Sequence, residues 1–247
     1  MDRFLYINMT GARQVMDAKA ITSHNIANIN TPGYKAIEHA AIAREIRGPG
    51  APSRVNAQTE QAGVNLSTGV LMGTGRDLDV AVRQENGWIV VQDNEGREAL
   101  TRRGDLQLDS TGLLTTGDGY PVLGDGGQIA VPPHASLTIG EDGTISVIPL
   151  GQGPEAQVVV DRIRLVQVDE PDIFRMENGL FQVREGDLPP PDAGLRLISG
   201  HLESSNVNMA GALVDMIQLS RKWELQVKMM SNADENATKA SELLRMS

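Results

Sequence analysis

Cysteine is absent from this chain of 247 residues. Disulfide staples, thiol catalysis and Cys-ligated zinc are thereby excluded. A cysteine-free chain suits the cytosol, and equally an exported protein that was never cross-linked. Aromatic residues make up only 3% of the sequence, so the core must rest on Val, Ile, Leu, Met and Ala. Basic charge is scarce as well: 22 Lys and Arg stand against 32 Asp and Glu, a net charge of −10, and no Lys/Arg run is present. That balance argues against unspecific binding to nucleic acid or anionic membranes, both of which draw on a basic surface. No stretch approaches the roughly 18–20 consecutive apolar residues of a membrane span. Ala18-Lys19-Ala20 has the look of a secretory cleavage site, but Asn8, Thr10, Arg13, Gln14 and Asp17 interrupt where its apolar region would lie. Export, if it occurs, is expected to use no cleaved signal. Finally, Gly and Pro punctuate residues 48–200 but nearly vanish before Thr31 and after Gly200, where only Gly11 and Gly211 interrupt.

The ends and the middle therefore differ. Residues 3–29 carry Leu5, Met9, Ala12, Met16 and Ile26 at 3-4 spacing, with Lys19 and Ser23 as polar members of the same stripe. This predicts an amphipathic helix with a coiled-coil-like seam. Pro32 disfavours helix at Thr31, and Pro32-Gly33 is the natural centre of a turn. Residues 35–47 fit a helix or a strand, and residues 48–76 have no lasting period, as in an extended arm. From Asp77 the period is two, with turn chemistry at Asp93-Asn94-Glu95-Gly96, Asp109-Ser110-Thr111-Gly112 and Asp142-Gly143. Residues 158–168 read as the longest strand. Short strands so spaced predict an antiparallel sandwich or open barrel. Asn208 is placed to N-cap a second helix. Its stripe runs Leu213, Met216, Ser220, Trp223, Val227, Met230, Asp234, Ala237, Ser241, Leu244, with steps of 3 and 4 throughout.

Residues that carry reaction chemistry are not gathered anywhere. The histidines at 24, 39, 134 and 201 have no helical metal-clamp spacing, and no phosphate loop or nucleophile elbow occurs. Asp77 and Asp79 read as a solvated strand face opposite Leu78 and Val80. Asp125-Gly126-Gly127 reads as a hairpin turn. Met appears 10 times; Met209, Met216, Met229 and Met230 mark a forgiving helix-packing surface. No catalytic residue, metal site, cofactor or small-molecule substrate is expected.

At Asn25-Ile26-Ala27-Asn28-Ile29-Asn30-Thr31-Pro32-Gly33-Tyr34-Lys35 the chain resembles the signature that closes the N-terminal helix of the rod, hook and hook-filament junction proteins of the bacterial flagellum. Glu203-Ser204-Ser205-Asn206-Val207-Asn208, followed by Met216-Ile217 and Arg221-Lys222-Trp223-Glu224, is similar to the matching C-terminal pattern. Leu78-Asp79-Val80-Ala81, Gly87-Trp88, Thr101-Arg102-Arg103-Gly104 and Gly119-Tyr120-Pro121-Val122-Leu123-Gly124 resemble the family's central domain. The resemblance thus spans the chain. Its ends look most like the proximal rod proteins of that family, with the distal rod and hook-type proteins as the alternative. One departure is Met209-Ala210-Gly211, where the family commonly has Pro and then acidic residues; it weakens the helix start, since Gly costs about 1 kcal/mol against Ala in a helix interior.

The resemblance implies an α+β subunit whose N- and C-terminal helices form an inner, coiled-coil-like domain bracketing a mainly antiparallel β domain. The expected division is 1–34 for the first helix and turn, 35–76 for the arm, 77–200 for the β core and 201–247 for the last helix. It implies a structural role without a reaction, assembly with itself and with other rod subunits, passage through the flagellar type III export apparatus, and residence in the rod within the periplasm. Assembly residues carried over or read from the stripes are Leu5, Met9, Ala12, Met16, Asn25, Ile26, Asn28, Asn30, Thr31, Pro32, Gly33 and Tyr34. At the other end they are Ser205, Asn206, Val207, Asn208, Leu213, Met216, Ile217, Arg221, Trp223, Glu224, Val227, Met230 and Leu244. Gly33→Val is expected to leave a soluble β body and stop incorporation. A reading from another class is a carbohydrate- or peptide-binding β domain dimerised by helical arms, which Trp88, Tyr120 and Phe181 are too few and scattered to favour.

Overall fold

A computed structural model describes residues 2–45, 55–184 and 186–245. Helix α1 (Asp2–Ala27) and helix α2 (Met209–Arg245) stand at the two ends, and the described residues between them form strands, turns and two short 3-10 helices. The chain divides into two compact units, one of residues 1–28, 37–63 and 207–247, the other of residues 29–36 and 64–206.

The first unit is built on the pairing of α1 with α2. Both lack Pro and hold one interior Gly each, so helical propensity is unbroken over long stretches. Asn208 caps α2: its Oδ1 accepts from the Gly211 amide at 3.1 Å, satisfying one of the orphan donors of the first turn. The helices run antiparallel, since Val15 and Ala18 pack with Leu219 and Trp223 while Gly11 faces Gln226. Strands β1 (Ile37–Glu45) and β2 (Val55–Val64) form a two-stranded sheet. Where the sequence left 35–47 open and read 48–76 as an extended arm, the described residues are therefore largely paired strand. A ladder of backbone bonds needs no hydrophobic period, so composition did not announce it.

The second unit is all β. Short strands β3 (Leu71–Gly73), β4 (Val80–Val82), β5 (Gly87–Gln92) and β6 (Glu98–Thr101) introduce it. Its largest sheet has five antiparallel strands in the order Leu165–Gln167, β5, β6, Phe181–Val183, Ile173–Arg175. Strand β5 is buried on both faces. Ile89 and Val91 enter one apolar cluster, whereas Trp88 and Val90 enter another beyond the sheet. A three-stranded sheet of His134–Ile139, Thr144–Pro149 and Val158–Arg162 closes the larger cluster. Paired segments Leu197–Ser199 with β4 and His201–Glu203 with β3 bring the last β residues back beside the first.

Two expectations change. The single strand over 158–168 is two strands in different sheets, Val158–Arg162 and Leu165–Gln167. Alternation fails there because Leu165 and Val166 are both buried, one in each cluster. Asp79 is not solvated: it is buried and ion-paired with Arg76 at 3.1 Å.

Candidate assembly site

The signature corner begins inside the first unit. Asn25 faces the start of β1 and makes a two-way fork with Ile37, its Nδ2 donating to the Ile37 carbonyl and its Oδ1 accepting from the Ile37 amide, both at 2.9 Å. Asn28 closes α1 on the His24 carbonyl, which accepts from its Nδ2 at 2.9 Å and from its backbone amide at 3.2 Å. Ile26 is half-buried and Asn30 exposed.

The rest of the corner belongs to the β unit. Gly33 takes φ +67°, and a Cβ there would lie 2.5 Å from the Arg102 backbone carbonyl. Its amide donates to the Glu203 carbonyl at 2.7 Å. Thr31 and Pro32 are half-buried. Tyr34 is buried, with the Arg175 guanidinium 4.7 Å from its ring centroid, and its carbonyl accepts from the Asn206 amide at 3.3 Å. Residues 33–36 and 203–206 are thus laced together within one unit.

Beneath this lacing lies a buried ion cluster. Glu203 Oε1 accepts from Lys35 Nζ at 2.6 Å and from the Gly69 amide at 2.9 Å, and its Oε2 lies 3.1 Å from Arg102 Nε. Lys35 Nζ also donates to the Ser67 carbonyl at 2.8 Å. Arg102 Nη1 donates to the carbonyls of Gln84 and Gly87 at 2.8 and 2.6 Å, and its guanidinium lies 5.7 Å from the Trp88 ring centroid. One carboxylate serves two cations in a site without solvent. Burial pushes the Lys35 ammonium below its ordinary pKa, against the pull of Glu203. Burial likewise lowers Arg102. A Cβ at Gly69 would strike the Ser204 carbonyl, so only glycine lets these passes approach.

The helix stripes separate into two sets. On α1 the buried residues are Asn8, Gly11, Ala12, Val15, Ala18 and Thr22. On α2 the least exposed include Ala212, Met216, Leu219, Trp223, Gln226, Met230, Ala233, Ala237 and Ala240, again at steps of 3 and 4. Of the expected stripes, Ala12, Met216, Trp223, Met230 and Ala237 thus lie on the inward side. Met9 is 51% exposed, Met16 49% and Ile217 55%, and Leu5, Leu213, Arg221, Glu224 and Val227 are exposed too. Leu244 lies in α2, but its side chain is outside the described residues. The intrachain seam keeps every second expected position on α2 and shifts the others by one residue, from Leu213, Ser220, Val227 and Asp234 to Ala212, Leu219, Gln226 and Ala233. A hydrophobic period weighted by large residues finds the neighbouring stripe instead. Ser205, Asn206 and Val207 are half-buried, and Asn208 is exposed.

Sequence reasoning missed Lys35, Arg102 and Glu203 as a unit, although each lies in a quoted motif. The available signal was one acidic residue in the uncharged run before α2, and one arginine directly after the apolar strand β6. Among the described residues, no group of three or more His, Cys, Asp or Glu is placed to hold a metal ion.

Known families match three parts of the chain. Residues 5–35 match "Flagella basal body rod protein", residues 84–147 match "Flagellar hook protein FlgE/F/G D1 domain", and residues 198–243 match "Flagellar basal body rod FlgEFG protein C-terminal". The chain is 39% identical to the flagellar basal-body rod protein FlgF of Escherichia coli (strain K12), over 100% of both chains. It is 32% identical to FlgF of Caulobacter vibrioides over 99% of this chain and 98% of that one. It is 31% identical to the rod protein FlgG of Buchnera aphidicola subsp. Schizaphis graminum, over 97% and 98%. Two helices bracketing an antiparallel β body, the laced corner and these full-length likenesses agree: the chain belongs to the flagellar basal-body rod protein family, as a structural rod subunit of the FlgF kind.

Proposed function

We propose that this subunit joins its neighbours in the proximal rod through the apolar faces that α1 and α2 leave uncovered. The carrying observation is the dressing of the helix pair: Leu5, Tyr6, Met9, Met16, Leu213, Val214, Ile217 and Leu225 are exposed while Ala12, Val15, Ala18 and Leu219 are buried. Full burial of one such side chain contributes roughly 1.5–3 kcal/mol. Faces of this kind mark protein–protein contacts. The partners are further copies of the chain and other rod subunits, in the basal body. The acidic surface disfavours nucleic acid, and no helix of the described residues is long and apolar enough to cross a membrane. The same reading has the chain leave the cytoplasm through the flagellar export apparatus without a cleaved signal and act in the periplasm, with no reaction, cofactor or substrate.

Met9→Lys and Ile217→Lys test this. Each is expected to leave monomer stability within about 0.5 kcal/mol, as for surface changes generally, and to abolish motility in cells lacking their own copy of the gene. Normal motility with both substitutions would sink the reading.

A further inference from the structure

We propose that Asn206 is a positioning residue of assembly that acts inside its own subunit. The inference rests on the rod reading above and deepens it. The chain passes between its two units at 28/29, 36/37, 63/64 and 206/207. At three of those passages the β unit holds its ends together through one side chain. The Ala36 amide donates to Asn206 Oδ1 at 2.8 Å, and Asn206 Nδ2 donates to the carbonyls of Asn65 and Ser67 at 2.7 and 3.0 Å. The ring closes through the Asn65 amide, which donates to the Ala36 carbonyl at 2.8 Å.

The chemistry calls for a primary amide on a short stem. Position 36 offers a donor and position 65 an acceptor, so the residue between them must accept and donate at once. Aspartate keeps the acceptor but sets a charge against two carbonyls, and alanine has neither group. The side chain the resemblance offered as an intersubunit contact is thus spent within the subunit. Its use is geometric. A heterologous polymer repeats one contact along its length, so a small error where the chain leaves the β unit recurs at each subunit. The Asn206 ring fixes three of those departures to one another, and Glu203 holds the adjacent pass from beneath.

The test compares Asn206→Ala and Asn206→Asp with the unaltered chain. Purified Asn206→Ala is expected to melt about 2–4 °C lower, the shift that one net hydrogen bond produces in a chain of this size. Amide exchange at Ala36 and Asn65 is expected to accelerate at least about tenfold, one lost net bond's worth, while β5 and β6 keep their protection. Motility in cells without their own copy is expected to fall to the level of the empty strain with both variants. Fast exchange at Ala36 with normal motility overturns the proposal, as does unchanged exchange. Loss of protection in β5 and β6 alongside motility also overturns it, because the residue would then serve stability alone. Met9→Lys and Ile217→Lys, run in parallel, separate the two ideas: if both are motile the rod reading fails, whereas a non-motile Ile217→Lys beside a motile Asn206→Ala removes only the present one.

Discussion

The helix pair and the β unit dress their surfaces in opposite ways. Inside the β unit lie Trp88, Ile89, Leu100, Leu106 and Leu114, together with the charged Lys35, Arg102 and Glu203. Inside the helix pair lie Ala12, Val15, Ala18 and Leu219, while Leu225 is 61% and Leu243 71% exposed. The β unit keeps its largest side chains inside, exposing Val70, Leu150 and Val159 among its apolar residues, and holds internal ion pairs. The helix pair buries few large side chains, Leu219 and in part Trp223, and keeps Leu5, Met9, Ile217 and Leu225 outward. A core of Ala12, Val15, Ala18 and a single leucine gains less from burial than a core of leucines, at about 25 cal/mol per Å² of apolar surface. The pair is accordingly half of a structure, in keeping with a subunit whose helices finish packing on neighbours, and the β unit is a whole one.

The largest effect that tests this contrast belongs to Glu203→Gln. In the β unit it leaves Lys35 and Arg102 as two buried cations without their ion-pair partner, with only the weaker pull of Glu85 remaining, at a cost of roughly 3–5 kcal/mol. Denaturant unfolding monitored at Trp88, which belongs to the β core, reads that loss directly. A change below about 1 kcal/mol, the surface range, would mean that the cluster is not the keystone of a self-sufficient unit, and the contrast would break on the β side.

The amino-acid sequence shows the fold class and much of the site because both rest on local chemistry. Pro32-Gly33, the Asn208 cap and the Asp-Gly turns each act within a few residues, and each is found where it reads. The seam was read one residue aside at about half its positions, since periodicity weights side-chain size and small residues such as Ala18 and Ala212 lie on the inward side. The ion cluster was illegible for another reason: Lys35 and Glu203 are 168 residues apart, and nothing local says that two passes will meet. Gly33 shows both limits at once. It reads as a turn whose loss spares the β body, yet a side chain there meets the Arg102 backbone.

Lys35→Met sharpens the account of the same cluster with a smaller effect. It removes the surplus cation and leaves Glu203 with Arg102 and the Gly69 amide, so stability is expected to change by no more than about 1 kcal/mol near neutral pH. The pH dependence is the clearer signature. The folded pKa of Lys35 lies below its ordinary value of 10.5. Between those two values the unfolded chain binds more protons than the folded one, so stability from this group rises with pH across that window and is level below it. Lys35→Met is expected to remove that alkaline rise. Its survival in the variant would assign it to another group.

The smallest effect decides how finished the helix pair is. Gly11 lies on the inward face of α1, and a Cβ there would sit 3.0 Å from Gln226 Nε2 and 3.3 Å from its Cδ. The obstacle is the far end of a flexible side chain, not backbone. Gln226 Oε1 makes no hydrogen bond among the described residues, so that end has little to lose by turning. Alanine in a helix interior is favoured over glycine by about 1 kcal/mol. If the seam is as loose as an alanine-lined interface should be, Gly11→Ala stabilises the monomer by up to about 1 kcal/mol, a rise of about 2–4 °C in Tm. Motility should persist, because the residue faces its own chain. A destabilisation of similar size would mean that Gln226 is locked and the pair is packed like a core. The exposed large residues would then be additions to a complete unit, and the contrast between the two regions would lose its physical cause.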